Sequence, residues 1–450
     1  MKYQTERKIM KKTFIKYKII TACILFIVTL PISTIITADE LPPPIQASMN
    51  FEETLWRRSS VRNFTSESVS IEDLSTILWA AYGVRDDGQR TVKPINGSYA
   101  TSIYILMEDS VYRYQSENHS LTFFKNGDYR FIAQYDSPIV LGLAWNASIN
   151  PDPNSSALEI GAVGQNIQLM TNALGLGCVI CGDFPPVCTL QRIGLPENET
   201  GRIVIPLGHL QFPYTFRYRP LRISLLPEIQ QSTFSITEAL NARNETNVWS
   251  GELTRSELSQ ILWSTYGYSS YIDRSQFGFT YHISRHRTVP SAHGYYPLRI
   301  FGVTAQNVFE FIPNTYDPLN FLFLSYFPFP VFTYLKQITK EDMREKVAHA
   351  TTQPACSQAP LLIVIVLDIE KTRPEGGDDF SGPQMRNLWC FEAGAAAHNA
   401  LLEAAAWNLT ANTYLPTDDD AIRSTLGLEG EFTPLFVVPI GKPSTSQILT

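Results

Sequence analysis

Cysteine is scarce in this chain, with six residues among 450. A disulfide scaffold is therefore excluded as the main support of the fold, because a chain of this length can bury cores of ordinary size. Charged residues make up only 18%, and the formal net charge is −7. This acidic balance lacks the electrostatic footprint of a nucleic-acid-binding protein. The length indicates two or three globular domains.

Three of the cysteines, Cys178, Cys181 and Cys188, lie close together in the chain. Such a cluster is compatible with zinc or redox chemistry, but no fourth ligand lies nearby, and the closest downstream histidine is His209. We therefore predict no metal site. One disulfide or small packed side chains is the interpretation we favour. The pairing among Cys178, Cys181, Cys188, Cys356 and Cys390 stays open.

The N-terminus has a composition of its own. Basic residues crowd the first 18 positions and precede an apolar stretch from Ile19 to Ile36, with Ala38 as a cleavage position. This order is typical of a secretory signal peptide. We interpret residues 1–38 as a signal peptide, and an uncleaved N-terminal anchor is the second interpretation.

Acceptor sites for N-glycosylation support export, because each of eight asparagines stands two residues before Ser or Thr. They are Asn63, Asn96, Asn118, Asn146, Asn154, Asn198, Asn244 and Asn408. Chance gives roughly a third of that number in a chain of this size. We expect a secreted or membrane-anchored, extracytoplasmic glycoprotein, with Asn96 the least accessible acceptor.

The chain contains an internal repeat. Leu74–Gly83 reads LSTILWAAYG and Leu258–Gly267 reads LSQILWSTYG, with seven of ten positions identical. Both have helical apolar spacing and end at a glycine. Strand-like runs, a long helix and an apolar strand into Pro-x-Gly follow both in the same order. Two copies of one α+β unit therefore occupy residues 47–222 and 233–450, joined by a linker over 223–232.

Residues around these helices carry a family resemblance. Copy one has Arg58, Ser60 and Arg62 in RSSVRNF, and ALGLGCVICGDF from Ala173 to Phe184; copy two has TVPSAHGYYP from Thr288 to Pro297. In this order and spacing the chain resembles the nitroreductase superfamily, especially its azoline-oxidising dehydrogenases. The resemblance implies α+β copies, each a sheet flanked by helices. It also implies that the copies embrace as an intrachain pseudo-dimer in a monomeric protein.

The same resemblance implies FMN as cofactor, bound between the copies. Arg58 and Arg219 would hold the phosphate and Arg62 the pyrimidine edge of the ring. Guanidinium groups suit both tasks because they stay charged and donate in a planar fork. Arg217 and Arg222, also in the basic tail of copy one, are as compatible with a surface position as with a ligand role.

Both copies would contribute further contacts to this FMN. The resemblance assigns ribityl-phosphate contacts to two serines, and backbone N–H groups at the ring's N5/O4 edge to the Cys-Gly pair. The residues are Ser60, Cys181 and Gly182 of copy one with Pro290, Ser291 and Ala292 of copy two.

The equivalent residues on the opposite side have changed. Arg243, Glu245 and Asn247 stand where copy one has its Arg-x-Ser-x-Arg segment. Pro94, Ile95 and Asn96 stand where copy two has its Pro-Ser-Ala segment. Losses on both sides of one composite site predict a single FMN site per chain.

Two further features lie near or beyond this site. His293 occupies a position where the family usually has glycine, which makes it a weak catalytic candidate; the same holds for Tyr295 and Tyr296. The stretch Tyr316–Leu335 is dense in aromatic residues and broken by proline. It is expected to cover a core or interface, with a substrate lid or a membrane-surface contact as the sharper alternative.

These observations predict an exported FMN-dependent oxidoreductase. It would transfer hydride to or from an organic small molecule, with an unidentified electron donor or acceptor. The alternative is a non-catalytic extracytoplasmic ligand-binding or interaction protein on a decayed flavin fold. Flavin absorbance of the purified protein discriminates the two.

Overall fold

The computed structural model describes residues 40–182, 189–212, 214, 216–217, 222–273, 283–313 and 331–444. The predicted signal segment, Cys188, Arg219 and most of the aromatic stretch Tyr316–Leu335 lie outside these ranges. Within them, no helix combines the length and apolar character needed to cross a membrane.

Copy one begins with two helices and places a long helix between its strands. Its elements are α1 (Phe51–Arg57), α2 (Ile71–Tyr82), β1 (Thr101–Leu106), β2 (Ser110–Gln115), β3 (Ser120–Asn126), β4 (Ile139–Asn146), α3 (Pro153–Ala173), β5 (Gly177–Cys178), β6 (Cys181–Gly182), β7 (Glu199–Gly208), β8 (Phe216–Arg217) and β9 (Arg222–Ser224).

Copy two repeats this order and adds a hairpin-like strand pair after its second helix. Its elements are α4 (Ile236–Ala242), β10 (Trp249–Ser250), α5 (Arg255–Tyr266), β11 (Tyr268–Asp273), β12 (Ile283–Arg287), β13 (Leu298–Thr304), β14 (Val308–Ile312), β15 (Val331–Thr339), α6 (Arg344–His349), β16 (Leu361–Asp368), α7 (Arg386–Ala406), β17 (Thr410–Ala411), α8 (Asp419–Thr425) and β18 (Phe432–Pro443).

Each copy is built around one mainly antiparallel sheet. Among the described residues, the first sheet runs β3-β2-β1-β4-β7-β5, with β6 also on β7, and the second runs β10-β18-β16-β13-β14-β15-β9, with β17 on β18. The central strands β1 and β16 are buried along their whole length, as expected for strands covered on both faces. The predicted α+β fold with two fused copies is confirmed.

The tail of copy one crosses into copy two. β9 pairs in parallel with β15, and β8 pairs with β11 in a small separate sheet with β12. Residues Ile223 and Ser224, which the sequence assigned to a linker, therefore lie in a strand of the second sheet. This strand pairing joins the copies through backbone hydrogen bonds as well as through side chains.

The repeated Trp-x-x-Tyr-Gly motif has the same structural role twice. The indole N–H of Trp79 donates to Val84 O over 3.1 Å, and that of Trp263 donates to Tyr268 O over 2.8 Å. A Cβ at Gly83 would lie 2.5 Å from the Trp79 ring. Glycine is therefore needed here because a side chain would collide with the Trp79 ring. Its backbone conformation does not require glycine, since a φ of −70° is open to any residue.

The long helices α3 and α7 cross at the centre of the molecule. A Cβ at Gly161 would lie 2.1 Å from Phe391 O, and one at Gly394 would lie 1.9 Å from Leu158 O. Glycine at both positions lets the two backbones touch. The copies therefore pack as a pseudo-dimer around this crossing.

Candidate functional site

A cavity of about 450 Å³ opens between the two copies. It contains most of the residues that the sequence assigned to the FMN site. Copy one contributes Ser60, Arg62, Cys181 and Gly182, and copy two contributes Pro290, Ser291, Ala292 and His293. The walls are completed by Gln134, Tyr135, Gly161, Val179, Ile180, Ile203, Leu388, Phe391, Glu392 and Ala395.

The copy-one side of the cavity is built by the chain after α1 and by an edge of the first sheet. Val61 N donates to Cys178 O over 2.9 Å, which lays the segment between Ser60 and Arg62 along β5. A Cβ at Gly177 would lie 2.7 Å from the Val61 side chain, so glycine permits this contact. β6 then brings Cys181 and Gly182 to the cavity by pairing with β7.

Arg62 extends into this cavity as an exposed guanidinium. Its Nη1 donates to the carbonyl of Ser60 over 3.1 Å. The guanidinium carbon lies 6.0 Å from the centre of the Tyr135 ring. Arg62 therefore gives the lining a permanent positive charge, with donors suited to an anionic or carbonyl-bearing ligand.

The copy-two side is a strained turn that follows β12. Ser291 Oγ accepts a hydrogen bond from Tyr296 N over 2.9 Å and closes the turn. His293, Gly294 and Tyr296 have φ values of 53°, 72° and 50°. Positive φ is costly for His and Tyr, and strain of this kind is concentrated at functional sites. It explains physically why glycine suits the position that His293 occupies.

The His293 ring stacks on Phe380, with ring centres 4.3 Å apart. Tyr295 packs edge-on against the same Phe380 and stacks on Trp389. These four rings form an aromatic wall beside the cavity. Of the residues proposed from sequence as weak catalytic candidates, His293 is the one that lines the cavity.

Arg58 is not among the residues that line the cavity, and its expected phosphate contact stays a prediction. It is buried, and its Nε donates to Arg287 O over 2.7 Å while Nη1 donates to Gln168 Oε1 over 2.9 Å. Arg243, its counterpart, donates to Thr91 O and to Arg90 O, the carbonyl equivalent to that of Arg287. Both arginines therefore clamp the Arg-Thr-Val segment of the other copy through guanidinium N–H groups.

The basic tail of copy one is described only through its backbone. Arg217 lies in β8 and Arg222 in β9. Arg219 lies outside the described residues, so its phosphate role stays a prediction.

The sequence prediction missed Glu392, which lies on α7 and lines the cavity with an exposure of only 2%. Burial raises the pKa of this carboxyl to about 7, against the lowering effect of the nearby Ser291 and Tyr266 hydroxyls and of Arg287. The available signal was the Glu-x-Gly that both long helices share, EIG in copy one and EAG in copy two.

A second, smaller cavity of about 300 Å³ lies at the equivalent place on the other side of the pseudo-dimer. Pro94, Ile95 and Asn96 line it, but their expected pairing with Pro290, Ser291 and Ala292 is wrong by one residue. The segments between the arginine clamp and the first central strand have equal length in both copies, so Pro94 is the counterpart of Ser291. Asn96 is the counterpart of His293 and shares its positive φ, 56° against 53°.

The backbone equivalence is direct, because Tyr414 pairs with Val437 just as Cys181 pairs with Val204. A tyrosine therefore stands where the first cavity has a small thiol.

This Tyr414 closes the second site with a polar network. Its hydroxyl donates to Asn247 Oδ1, which also accepts from Asn412 Nδ2 over 3.0 Å. Lys93 Nζ donates to Asn412 Oδ1 and to Thr413 O, and burial lowers the pKa of this lysine to about 8. Side chains of the protein thus occupy the space around the counterpart of Arg62.

Glu245, the counterpart of Ser60, forms an ion pair within its own copy. Its Oε1 accepts from Arg243 Nε over 2.9 Å. The carboxylate is largely buried in this pair. An anionic ligand on this side would therefore meet a negative charge where the first cavity has the neutral Ser60.

The nitroreductase family pattern matches residues 55–209 and 251–442, one stretch in each copy. These stretches contain the first sheet, most of the second sheet, both long helices and both cavities. The chain belongs to the nitroreductase family. It is accordingly an oxidoreductase of this family, with two copies of the family's domain in one chain.

Individual nitroreductases support the assignment. A protein of Methanocaldococcus jannaschii named as a nitroreductase is 32% identical over 169 residues, which is 32% of this chain and 84% of that protein. A solved nitroreductase structure from Anabaena variabilis, 14% identical, matches with a TM-score of 0.62 over 90% of this chain and 94% of its own. The latter likeness extends the shared fold across both copies.

The cysteines that the structure describes do not form a metal site, and no metal-binding group of His, Cys, Asp or Glu occurs among the described residues. Cys178, Cys356 and Cys390 are buried thiols, and burial raises the pKa of each to about 12. Such thiols are inert packing groups. Cys181 differs in lying half-buried on the cavity wall.

Proposed function

We propose that this chain is an FMN-dependent oxidoreductase with one composite flavin site in the larger cavity. The observation that carries the proposal is the meeting of Arg62, Cys181 and Gly182 from copy one with Ser291 from copy two around a single cavity. Neither copy provides the lining alone. We further propose that the chain works as a monomer, because the partner surface that the fold needs is already present within it.

The lining suits FMN in three respects. Its volume of about 450 Å³ lies within the usual range of small-molecule sites, about 300–1,000 Å³. Apolar side chains of Val179, Ile180 and Phe391 suit a flat ring. The guanidinium of Arg62 suits the ring edge that becomes anionic on reduction. Glu392 adds a further polar group, because one of its buried carboxyl oxygens has no hydrogen-bond partner among the described residues and is available to a ligand.

Bound FMN would supply hydride transfer, and the chain's own residues would supply binding and tuning. Arg62 would hold the electron-rich edge of the ring, and Ser60 and Ser291 would bond polar atoms of the cofactor. The aromatic wall beside His293 would limit the space for an organic substrate. Arg58 would affect the site indirectly, because it holds the segment that leads into the strained turn.

The proposal is tested by purifying the full chain from cells supplied with riboflavin and identifying any extracted chromophore by mass. A yellow protein with FMN absorbance and reduction of the bound flavin by dithionite supports it. A colourless protein that fails to quench the fluorescence of added FMN would overturn it and favour a non-catalytic ligand-binding protein.

We also propose export, on the basis of the N-terminal sequence and the accessibility of the acceptor asparagines. Asn63, Asn96, Asn118, Asn198, Asn244 and Asn408 are exposed, and Asn154 is half-buried. Asn96 is thus more accessible than expected. Asn146 is the buried one, and its Oδ1 accepts a hydrogen bond from Asn198 Nδ2 over 3.0 Å. Glycan mapping after expression in a glycosylating host should find sugar at exposed acceptors. An unmodified cytoplasmic chain that keeps residues 1–38 would contradict export.

A further inference from the structure

Glu392 and Glu159 occupy equivalent positions on the two long helices, α7 and α3. Both are buried, with exposures of 2% and 1%. Each accepts a hydrogen bond from the tyrosine of the repeated motif: Tyr82 donates to Glu159 Oε1 over 2.6 Å, and Tyr266 donates to Glu392 Oε1. The two carboxyls therefore start from the same local structure.

Glu159 has additional donors from the start of β1. Ala100 N donates to its Oε1 over 3.0 Å, with a longer contact of 3.4 Å to Oε2. The Thr101 hydroxyl donates to Oε1 over 2.5 Å. On this side of the pseudo-dimer the carboxyl is satisfied by the protein itself.

Copy two lacks both of these donors. Pro297 stands in place of Ala100 and has no N–H, and Leu298 stands in place of Thr101 and has no hydroxyl. The equivalence is structural, because Leu298 N and Thr101 N both donate to the motif tyrosine. Glu392 Oε2 is therefore buried without the donors that copy one provides, and the nearby Ser291 hydroxyl is not in hydrogen-bonding geometry to it.

The side that lost the donors is the side with the larger cavity, and Glu392 lines that cavity. A buried carboxyl oxygen without a partner costs free energy unless a ligand provides one. The groups around it are Tyr266 from α5, Arg287 from β12, and Ser291 and Tyr296 from the strained turn. The other titratable or charged groups of the lining are Arg62, Tyr135, Cys181 and His293.

We propose that Glu392 is a proton-bearing ligand contact, which takes up a proton from solvent when an anionic ligand enters the cavity. The protonated carboxyl then donates a hydrogen bond to that ligand, and like-charge repulsion is removed. The inference rests on the proposed flavin binding and adds a residue and a proton to it. It accounts for a carboxyl at a site whose ligand carries a phosphate dianion.

The test is the pH dependence of FMN binding to the full chain, measured by quenching of flavin fluorescence from about pH 6.5 to about pH 9, above the phosphate's own second pKa. Binding should weaken as the pH rises through the pKa of the free carboxyl, by about tenfold for each unit by which the ligand raises that pKa. Riboflavin, which lacks the phosphate, should show a smaller pH dependence.

Two variants locate the proton. Glu392→Gln should flatten the pH dependence, since the amide cannot ionise. Glu159→Gln, the matched change on the other long helix, should keep the wild-type dependence. A wild-type slope retained in Glu392→Gln would overturn the proposal. So would a slope that is lost only in Glu159→Gln.

A measurement without flavin separates this inference from the proposed function. The infrared carbonyl band of a protonated carboxyl that titrates near neutral pH should disappear in Glu392→Gln. Leu298→Thr, which restores the hydroxyl of copy one, should shift that titration to lower pH. A chain that binds no FMN would contradict the proposed function and, with it, this inference. A chain that binds FMN but has no such band would contradict the role of Glu392 alone. So would a band whose titration does not move in Leu298→Thr.

Discussion

The two cavities of the pseudo-dimer lie at equivalent places in the repeated fold but are lined by different side chains. The larger one has Arg62, Cys181 and Ser291 at positions where the other side has Asn247, Tyr414 and Pro94. The backbone around both is equivalent, and the long helices cross symmetrically between them. At these equivalent positions the difference therefore lies in the side chains.

This comparison separates residues that build the fold from residues that serve a ligand. Features present on both sides, such as the Trp-x-x-Tyr-Gly motif and the arginine clamps Arg58 and Arg243, are structural. Features present on one side only, such as Arg62, Ser291 and the free oxygen of Glu392, mark the proposed flavin site. Duplication within one chain thus provides an internal control that a symmetric homodimer lacks.

The largest expected effect is the loss of flavin from variants of the larger cavity. Arg62→Ala removes a charge-assisted donor, and Ser291→Leu replaces a hydroxyl by a bulky apolar group. A lost hydrogen bond of a charged group costs about 1.5–3 kcal/mol, so we expect at least a tenfold weaker FMN affinity for Arg62→Ala. Asn247→Ala and Pro94→Leu, the changes matched to Arg62→Ala and Ser291→Leu on the other side, should leave flavin affinity unchanged in a fluorescence titration. The reverse pattern would place the working site on the other side.

A second effect should be equal on the two sides, because it concerns the shared fold. Gly161→Ala and Gly394→Ala each place a Cβ about 2 Å from a backbone carbonyl of the facing helix. Overpacking of this kind costs about 1–3 kcal/mol in the free energy of unfolding. Chemical denaturation should show a similar loss in both variants. A loss confined to one of them would mean that the helix crossing is not symmetric.

A smaller effect concerns a pair of buried acids outside the cavities that only one side of the pseudo-dimer has. Glu403 and Glu52 are buried where the other half has Met170 and Thr237. Burial, followed by the Glu52 carboxylate, raises the pKa of Glu403 well above its usual value. A raised pKa in the folded state stabilises the fold at pH values below the unfolded pKa, about 4.3, and this stability is lost as the pH rises.

Glu403→Gln should therefore be more stable than the parent at pH 8, on the order of 1 kcal/mol, with the gain vanishing near pH 4. Glu53→Gln, a change at the neighbouring half-buried acid on α1, provides the control. Thermal unfolding at both pH values measures the difference. An equal effect of Glu403→Gln at pH 4 and pH 8 would show that this carboxyl does not titrate in the range.

The repeat made much of this fold predictable. Identical helix motifs and matching strand order indicate two α+β copies, since hydrophobic pattern and local signals agree at each element. The same alignment placed Ser60, Arg62, Cys181, Gly182 and Pro290–His293 at one cavity. Such segments are predictable because short backbone motifs bring their residues to the same edge of the fold.

Other parts depended on contacts that sequence order does not contain. Arg58 looks like its neighbour Arg62, but only the tertiary structure shows its guanidinium buried against Arg287 O. The strand exchange of β9 joins positions more than 100 residues apart. Glu392 resembles Glu159 in sequence, and its free oxygen emerges only when the missing donors at Pro297 and Leu298 are considered in space.

The number of FMN molecules bound per folded chain tests the difference between the two cavities most directly. Flavin released from purified protein, quantified by absorbance against chain concentration from amino-acid analysis, gives this ratio, and light scattering checks that the chain is a monomer. We predict one FMN per chain, because Tyr414, Asn247 and Lys93 form a polar network around the position equivalent to Arg62. Two FMN per chain would show that both cavities bind flavin and would contradict the account.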